Sequence, residues 1–150
     1  MDAPIDARTG LQDLEPDECL RLLAGAAIGR VAVMVGDRPL IFPVNFTLDG
    51  RSVVFRTNEG TKLYGARSGP VAFECDGIDR EYHTGWSVLV QADAEEVLDA
   101  ADVAHLERLP LAPWCDAPKP VWVRLRPQSM TGRCIPTHGS TLTEEEWQCR

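Results

Sequence analysis

The segment Phe55-Arg56-Thr57-Asn58-Glu59-Gly60-Thr61-Lys62 decides how the chain is read. A β-branched and aromatic run, 51–57, ends at Thr57. A polar loop follows, and a helical pattern starts near Thr61 and continues through Leu63, Tyr64 and Ala66. A strand-to-helix junction leaves backbone N–H groups unpaired at the positive end of a helix, which suits an anion. Gly60 lets a backbone come close. Thr57 and Thr61 offer hydroxyl donors, and Arg56 and Lys62 bring two positive charges to the same short stretch. Lysine is scarce: among 15 Lys and Arg residues, Lys62 and Lys119 are the lysines. On the residues alone two readings stand. The segment is an anion site, or Arg56 and Lys62 are solvated surface charges beside the acidic Glu59.

Working outward, three extended runs precede this loop. Residues 28–35 are β-branched, Gly36 and Asp37 signal a turn, and 38–48 form a second run containing Pro43. Asp49-Gly50 signals the next turn, and 51–57 close a three-stranded antiparallel meander. Proline cannot donate to a ladder, so Pro43 marks an edge or a bulge and would leave the N–H groups of Val44 and Asn45 free. Upstream, 14–23 read as a helix. Pro16 suits its first position, Glu15, Asp17 and Glu18 suit its positive end, and Gly25 or Gly29 ends it. Downstream, Gly69-Pro70 breaks the helical run. Residues 71–76 and 84–97 read as strands, 99–109 as a short helix closed by Pro110 and Pro113, and 121–126 as a half-buried strand. The first dozen residues read as a loose arm. The tail from 135 to 150 is weakly patterned, though residues 143–146 could cap a short helix.

This pattern predicts a mainly β (α+β) fold, an antiparallel split or nearly closed β-barrel with short peripheral helices, as one domain over 1–150. At 150 residues, 44% hydrophobic and 25% charged, the chain can hold a real core. No apolar run spans a bilayer, and the N-terminus lacks the apolar stretch of a signal peptide, so a soluble, cytoplasmic protein is expected. The formal charge of −8 argues against nucleic acid. It also means that an anionic ligand must be held by local donors. The five cysteines are widely spaced, with no CxxC and no histidine at ligand spacing. No metal site is expected, and the internal thiols read as small apolar residues.

Six motifs, in order, carry a resemblance. They are Arg30-Val31-Ala32-Val33, Pro39-Leu40-Ile41-Phe42-Pro43-Val44-Asn45-Phe46, Phe55-Arg56-Thr57 through Gly60-Thr61-Lys62-Leu63, Val71-Ala72-Phe73-Glu74, Gly85-Trp86-Ser87-Val88-Leu89-Val90 and Thr131-Gly132-Arg133. From about Leu14 to Arg133 the chain resembles the pyridoxamine 5′-phosphate oxidase-like superfamily of FMN-binding split barrels, above all its short, nitroimidazole-resistance-like members. The resemblance implies a homodimer with FMN at the subunit interface. It implies that Thr57, Thr61 and Lys62, with Arg56, hold the 5′-phosphate. Pro43, Val44 and Asn45 would lie against the isoalloxazine, Trp86, Ser87 and Val88 would line the other side, and Arg133 would approach from the partner chain.

The vitamin B6-forming members carry a C-terminal arginine and histidine pair that has no counterpart here, since His138 lies in the unpatterned tail. The histidine tied to nitroimidazole reduction has none either, although His83 lies near a pocket strand. The expected function is therefore a flavin-dependent oxidoreductase acting on a small molecule, not pyridoxamine phosphate oxidation itself. The flavin carries the redox chemistry, and no protein acid or base is named. Two alternatives stay open: a deazaflavin in place of FMN, and a flavin- or haem-binding sensor or storage protein without turnover.

Overall fold

The computed structural model describes residues 4–136. The cap pattern at 143–146, His138 and Cys149 lie outside the described residues. Seven strands, two α-helices and one 3-10 helix follow in the order β1 (Gln12–Leu14), α1 (Pro16–Ala24), β2 (Ile28–Val35), β3 (Arg38–Asp49), β4 (Ser52–Thr57), the 3-10 helix (Lys62–Arg67), β5 (Gly69–Asp79), β6 (Thr84–Glu96), α2 (Ala100–Leu106) and β7 (Val121–Ile135). All strand pairs are antiparallel, in the order β1-β7-β4-β3-β2-β5-β6, and β6 also pairs with β7. That last pairing closes six strands into a barrel, leaving β1 as a short addition to the far end of β7. The architecture is the antiparallel split β-barrel expected from the sequence.

Period-two alternation fills the barrel. Val31 and Val33 of β2, Val53 and Phe55 of β4, Phe73 and Cys75 of β5, Val88 and Val90 of β6, and Val121, Val123 and Leu125 of β7 all join one buried cluster. Phe46 and Phe73 meet edge to face at its centre, with ring centroids 4.8 Å apart. Helix α1 inserts Cys19, Leu22 and Leu23 into the same cluster. Pro16 starts it and the Gly25 N–H caps it, as the residue pattern requires. Gly132 makes the close approach possible, because a Cβ there would lie 2.5 Å from Cys19 Sγ. Burial pushes the Cys75 thiol up to about 11 and raises that of Cys19, so both behave as apolar fillers. Cys115 is the exposed exception among the described cysteines.

β5 spans Gly69–Asp79, longer at both ends than the expected 71–76, and two further segments differ from expectation. β7 runs nine residues past Arg126, to Ile135. The alternation breaks at Pro127 because the register against β6 shifts between Gln91 and Ala92. Gln128 is the extra residue of that bulge, and its amide donates to Asp93 at 2.7 Å. The supposedly loose arm holds β1, and Ile5 bridges Gln12. A turn between them is fastened by the Asp6 N–H to Leu11 and by Arg8 to the Asp6 carboxylate.

A second, smaller cluster sits outside the barrel. Val54 and Trp122 point away from the interior of β4 and β7, and Val97 and Leu106 cover them. Asp99 caps α2 by accepting N–H bonds from Ala101 and Asp102, both at 3.1 Å. Charged groups fasten this outer layer. Arg124, itself buried, donates to Asp49 at 2.9 Å. His105 of α2 bonds the other Asp49 oxygen at 2.9 Å, and Glu95 pairs with Arg126 at 2.7 Å and with Arg124 at 3.5 Å. No helix among the described residues is long and apolar enough to cross a membrane.

Candidate functional site

Strand β3 sets up the site because only part of it has neighbours on both sides. Residues 46–49 pair with β4, whereas 38–45 pair with β2 and not with β4. Pro43 therefore sits in a continuous strand, without a bulge, next to an open edge. The register explains why this proline is harmless. Phe46 N–H donates to Ala27 O at 3.3 Å. By the alternation of an antiparallel ladder, Val44 N–H also faces β2, while the N–H of Asn45 and the ring nitrogen of Pro43 face away from it. Of the two N–H groups expected to be free, only that of Asn45 turns from β2.

A cleft of about 230 Å³ opens against this edge. Ile28, Pro43, Val44 and Asn45 form one wall, and Arg56 rises from β4. The opposite wall is a strap, residues 113–119, that contributes Pro113, Trp114, Cys115 and Lys119. Two hydrogen bonds hold the strap in place. Asn45 Oδ1 accepts the Trp114 N–H at 2.9 Å while Asn45 Nδ2 donates to Ala27 O at 3.3 Å. Arg56 Nε donates to Lys119 O at 2.7 Å, and its guanidinium lies over Trp122, 4.9 Å from the ring centroid. The two terminal nitrogens of Arg56 and the Lys119 ammonium make no hydrogen bond to a described residue. Both charged residues in the lining are cations. The cleft is thus a local positive site on an acidic protein.

The structure divides the sequence-predicted phosphate clamp between two faces. Adjacent strand residues point to opposite sides. Arg56 projects outward into the cleft, while Thr57 turns inward and is buried. Thr57 Oγ1 lies 3.4 Å from Thr61 Oγ1. Thr61 donates to Asn58 O at 2.9 Å and accepts the Tyr64 N–H at 3.2 Å, so its hydroxyl caps the 3-10 helix. That helix has six residues, and its dipole is correspondingly small. Lys62 is exposed, opens the helix, and bonds no described residue. An anion at this loop would depend mainly on Lys62 and backbone N–H groups, and an anion in the cleft on Arg56 and Lys119.

The remaining predicted positions lie outside the cleft. Trp86 packs over Gly77, whose missing Cβ would stand 2.5 Å from the indole nitrogen, and Val88 is in the barrel core. Ser87 is on the outer face of β6, in register with Arg133 of β7, and Arg133 approaches Asp13 at 3.6 Å. His83 occupies the β5–β6 turn in the left-handed region, φ 53°, where histidine is better tolerated than most side chains. Trp114, Cys115 and Lys119 were not foreseen from their surroundings, which have no period. The scarcity of lysine was the one signal that touched this wall.

A cofactor with a phosphate and a flat, hydrogen-bonding ring fits what is present. The cleft has flat apolar groups on its two walls, Pro43 on one and Trp114 on the other, an outward backbone N–H at Asn45, and cations with spare donors at Arg56 and Lys119. Its lining holds no carboxylate or imidazole, so nothing there repels an anion.

Comparison with known proteins agrees with this fold. The family model described as pyridoxamine 5′-phosphate oxidase matches residues 15–134. An uncharacterized protein of Mycobacterium tuberculosis, Rv0080, is 40% identical over 127 residues, covering 80% of this chain and 82% of the relative. The structure of the FAD binding protein from Mycobacterium smegmatis is 42% identical with a TM-score of 0.71, covering 81% of this chain and 96% of that one. The conserved protein of unknown function DIP1874 from Corynebacterium diphtheriae is 34% identical with a TM-score of 0.71, covering 83% of this chain and 97% of that one. Matched through nearly all its described strands, with its open-edged β3 and split barrel, the chain belongs to the pyridoxamine 5′-phosphate oxidase family.

Proposed function

We propose that this chain binds a flavin nucleotide, FMN or the FMN half of FAD, and uses it as an oxidoreductase acting on a small molecule. The observation that carries the proposal is the cationic cleft along the open edge of β3, in a family whose M. smegmatis member, 42% identical, is an FAD binding protein. FMN is the smaller ligand, and a cleft of about 230 Å³ is below the roughly 300–1,000 Å³ of sites that bury a whole drug-sized molecule. A second copy of the chain would complete the enclosure. In this reading Ser87 and Arg133, which are exposed and do not reach the cleft of their own protomer, belong to the partner's side of a homodimer, whereas Val88 and Trp86 pack against the barrel core.

A bound flavin supplies the redox step itself. The chain's own residues bind and orient. Arg56 and Lys119 offer charge-assisted donors, Lys62 offers a third cation from the neighbouring loop, and the Asn45 N–H offers a neutral donor to a ring heteroatom. The lining provides no carboxylate or imidazole, and its ionisable groups are the Arg56 guanidinium, the Cys115 thiol and the Lys119 ammonium.

Titration of the purified protein with FMN, FAD and a deazaflavin, followed by flavin absorbance and emission, tests this reading. The expected result is saturable binding of FMN or FAD in preference to the deazaflavin. Arg56→Ala and Lys62→Ala should each weaken binding by about 1.5–3 kcal/mol, the range for a hydrogen bond to a charged group. A spectrum unchanged by any of the three ligands would remove the flavin reading.

A further inference from the structure

The strap contains an aromatic side chain that folding does not use. Trp114 lines the cleft with 71% of its surface exposed, although its backbone is tied to β3. Its N–H is held by Asn45 Oδ1 at 2.9 Å. Asn45 cannot turn freely, because its Nδ2 is bonded to Ala27 O at 3.3 Å. At the other end of the strap, Arg56 Nε holds Lys119 O at 2.7 Å, and Arg56 is itself laid over Trp122. Pro113, Pro118 and Pro120 restrict the backbone in between. The molecule therefore keeps a large flat apolar surface exposed at the mouth of a cleft and spends several bonds on fixing where it stands. An indole gains little from water and much from a planar ring laid against it.

We propose that Trp114 is a specificity-determining residue whose indole stacks on the ring of the bound flavin, with Asn45 and Arg56 as positioning residues that hold the strap at stacking distance. This rests on the flavin reading above, and it adds the residue that distinguishes a flat aromatic ligand from a simple phosphate ester. The cations of the cleft accept any anion, whereas the indole favours one that carries a planar π-system.

The test uses the full chain and FMN, with inorganic phosphate as a competitor. A stacked indole quenches flavin emission, so saturated wild-type protein should hold FMN in a dark state. Trp114→Ala should weaken FMN binding about tenfold, within the range for loss of one aromatic stacking contact, and should brighten the emission of the bound flavin. Competition by phosphate should be unchanged in that variant. Trp114→Phe should recover most of the affinity. Asn45→Ala should reproduce the brightening without removing the indole, since it frees the strap. Equal affinity and equal emission in wild type and Trp114→Ala would overturn the proposal and leave the flavin reading standing. So would a Trp114→Ala protein altered only in the concentration dependence of its mass, which would make the indole a subunit contact. A wild-type protein that fails to bind FMN would overturn both.

Discussion

The two faces of β4 lead to different kinds of structure. Val53 and Phe55 enter a cluster that draws residues from β2 to β7 and from α1. Val54, one position along, enters a cluster whose other buried members are Val97, Leu106 and Trp122. The inner cluster is held mainly by apolar contact, inside a barrel closed by the β6–β7 ladder. The outer one is held by a little apolar contact and by directed bonds: Arg124 and His105 to Asp49, Asn45 to Trp114, Arg56 to Lys119. The cleft belongs to the outer layer on one wall and to the barrel on the other. A site assembled in this way can loosen without unfolding the protein, because local opening draws on the weaker contacts first.

The largest effect should come from the inner face. Phe73 is fully buried against Phe46, and Phe73→Ala should cost about 3–5 kcal/mol by leaving a cavity that the closed barrel cannot collapse. Against a total of roughly 5–15 kcal/mol, denaturant unfolding should remain a single transition at a much lower midpoint. The same kind of truncation outside should behave differently. Leu106 is also fully buried, yet Leu106→Ala should cost only about 2–3 kcal/mol, because α2 can settle toward the gap. Hydrogen exchange should show the loss concentrated in α2 and residues 113–119, with β5 and β6 still protected. Equal loss of protection in both layers would show that they are one cooperative unit.

The same difference governs what could be read from the sequence. Barrel strands follow a period of two with β-branched residues, so β2 to β6 and the start of β7 were visible. The continuation of β7 was not, because Pro127 and the bulge at Gln128 break the alternation in one strand while the ladder simply shifts register. β1 has three residues, too few to show a period. The site was legible in part. Pro43 and Asn45 mark the open edge, and Arg56 is a true cleft residue. Thr57, next to Arg56 in sequence, is on the opposite face of β4, as the alternation from Ser52 onward requires. The strap could not be found. Trp114 and Lys119 are positioned by partners 69 and 63 residues away, Asn45 and Arg56, and proline-rich backbone has no pattern that names such partners.

The smallest effect lies in the charged links of the outer layer. Asp49 accepts from His105 and from Arg124, and these two bonds hold its carboxyl below the usual carboxylate range. A carboxyl whose folded value is depressed adds stability above its unfolded value and loses it as pH falls through the folded one. The docking of α2 should therefore be at full strength at neutral pH and weaken in acid, below the ordinary range of an aspartate. Asp49→Asn keeps the shape and removes the charge, and it should cost about 1–2 kcal/mol at neutral pH, the lower part of the range for bonds to charged groups, since the site is partly solvated. Thermal unfolding of both proteins across the acid range gives the comparison. The gap between them should close as pH falls, because wild-type Asp49 becomes protonated and the two side chains then differ little in charge. A gap that stays constant into strong acid would mean that packing around Asp49, not its charge, fastens the outer layer to the barrel.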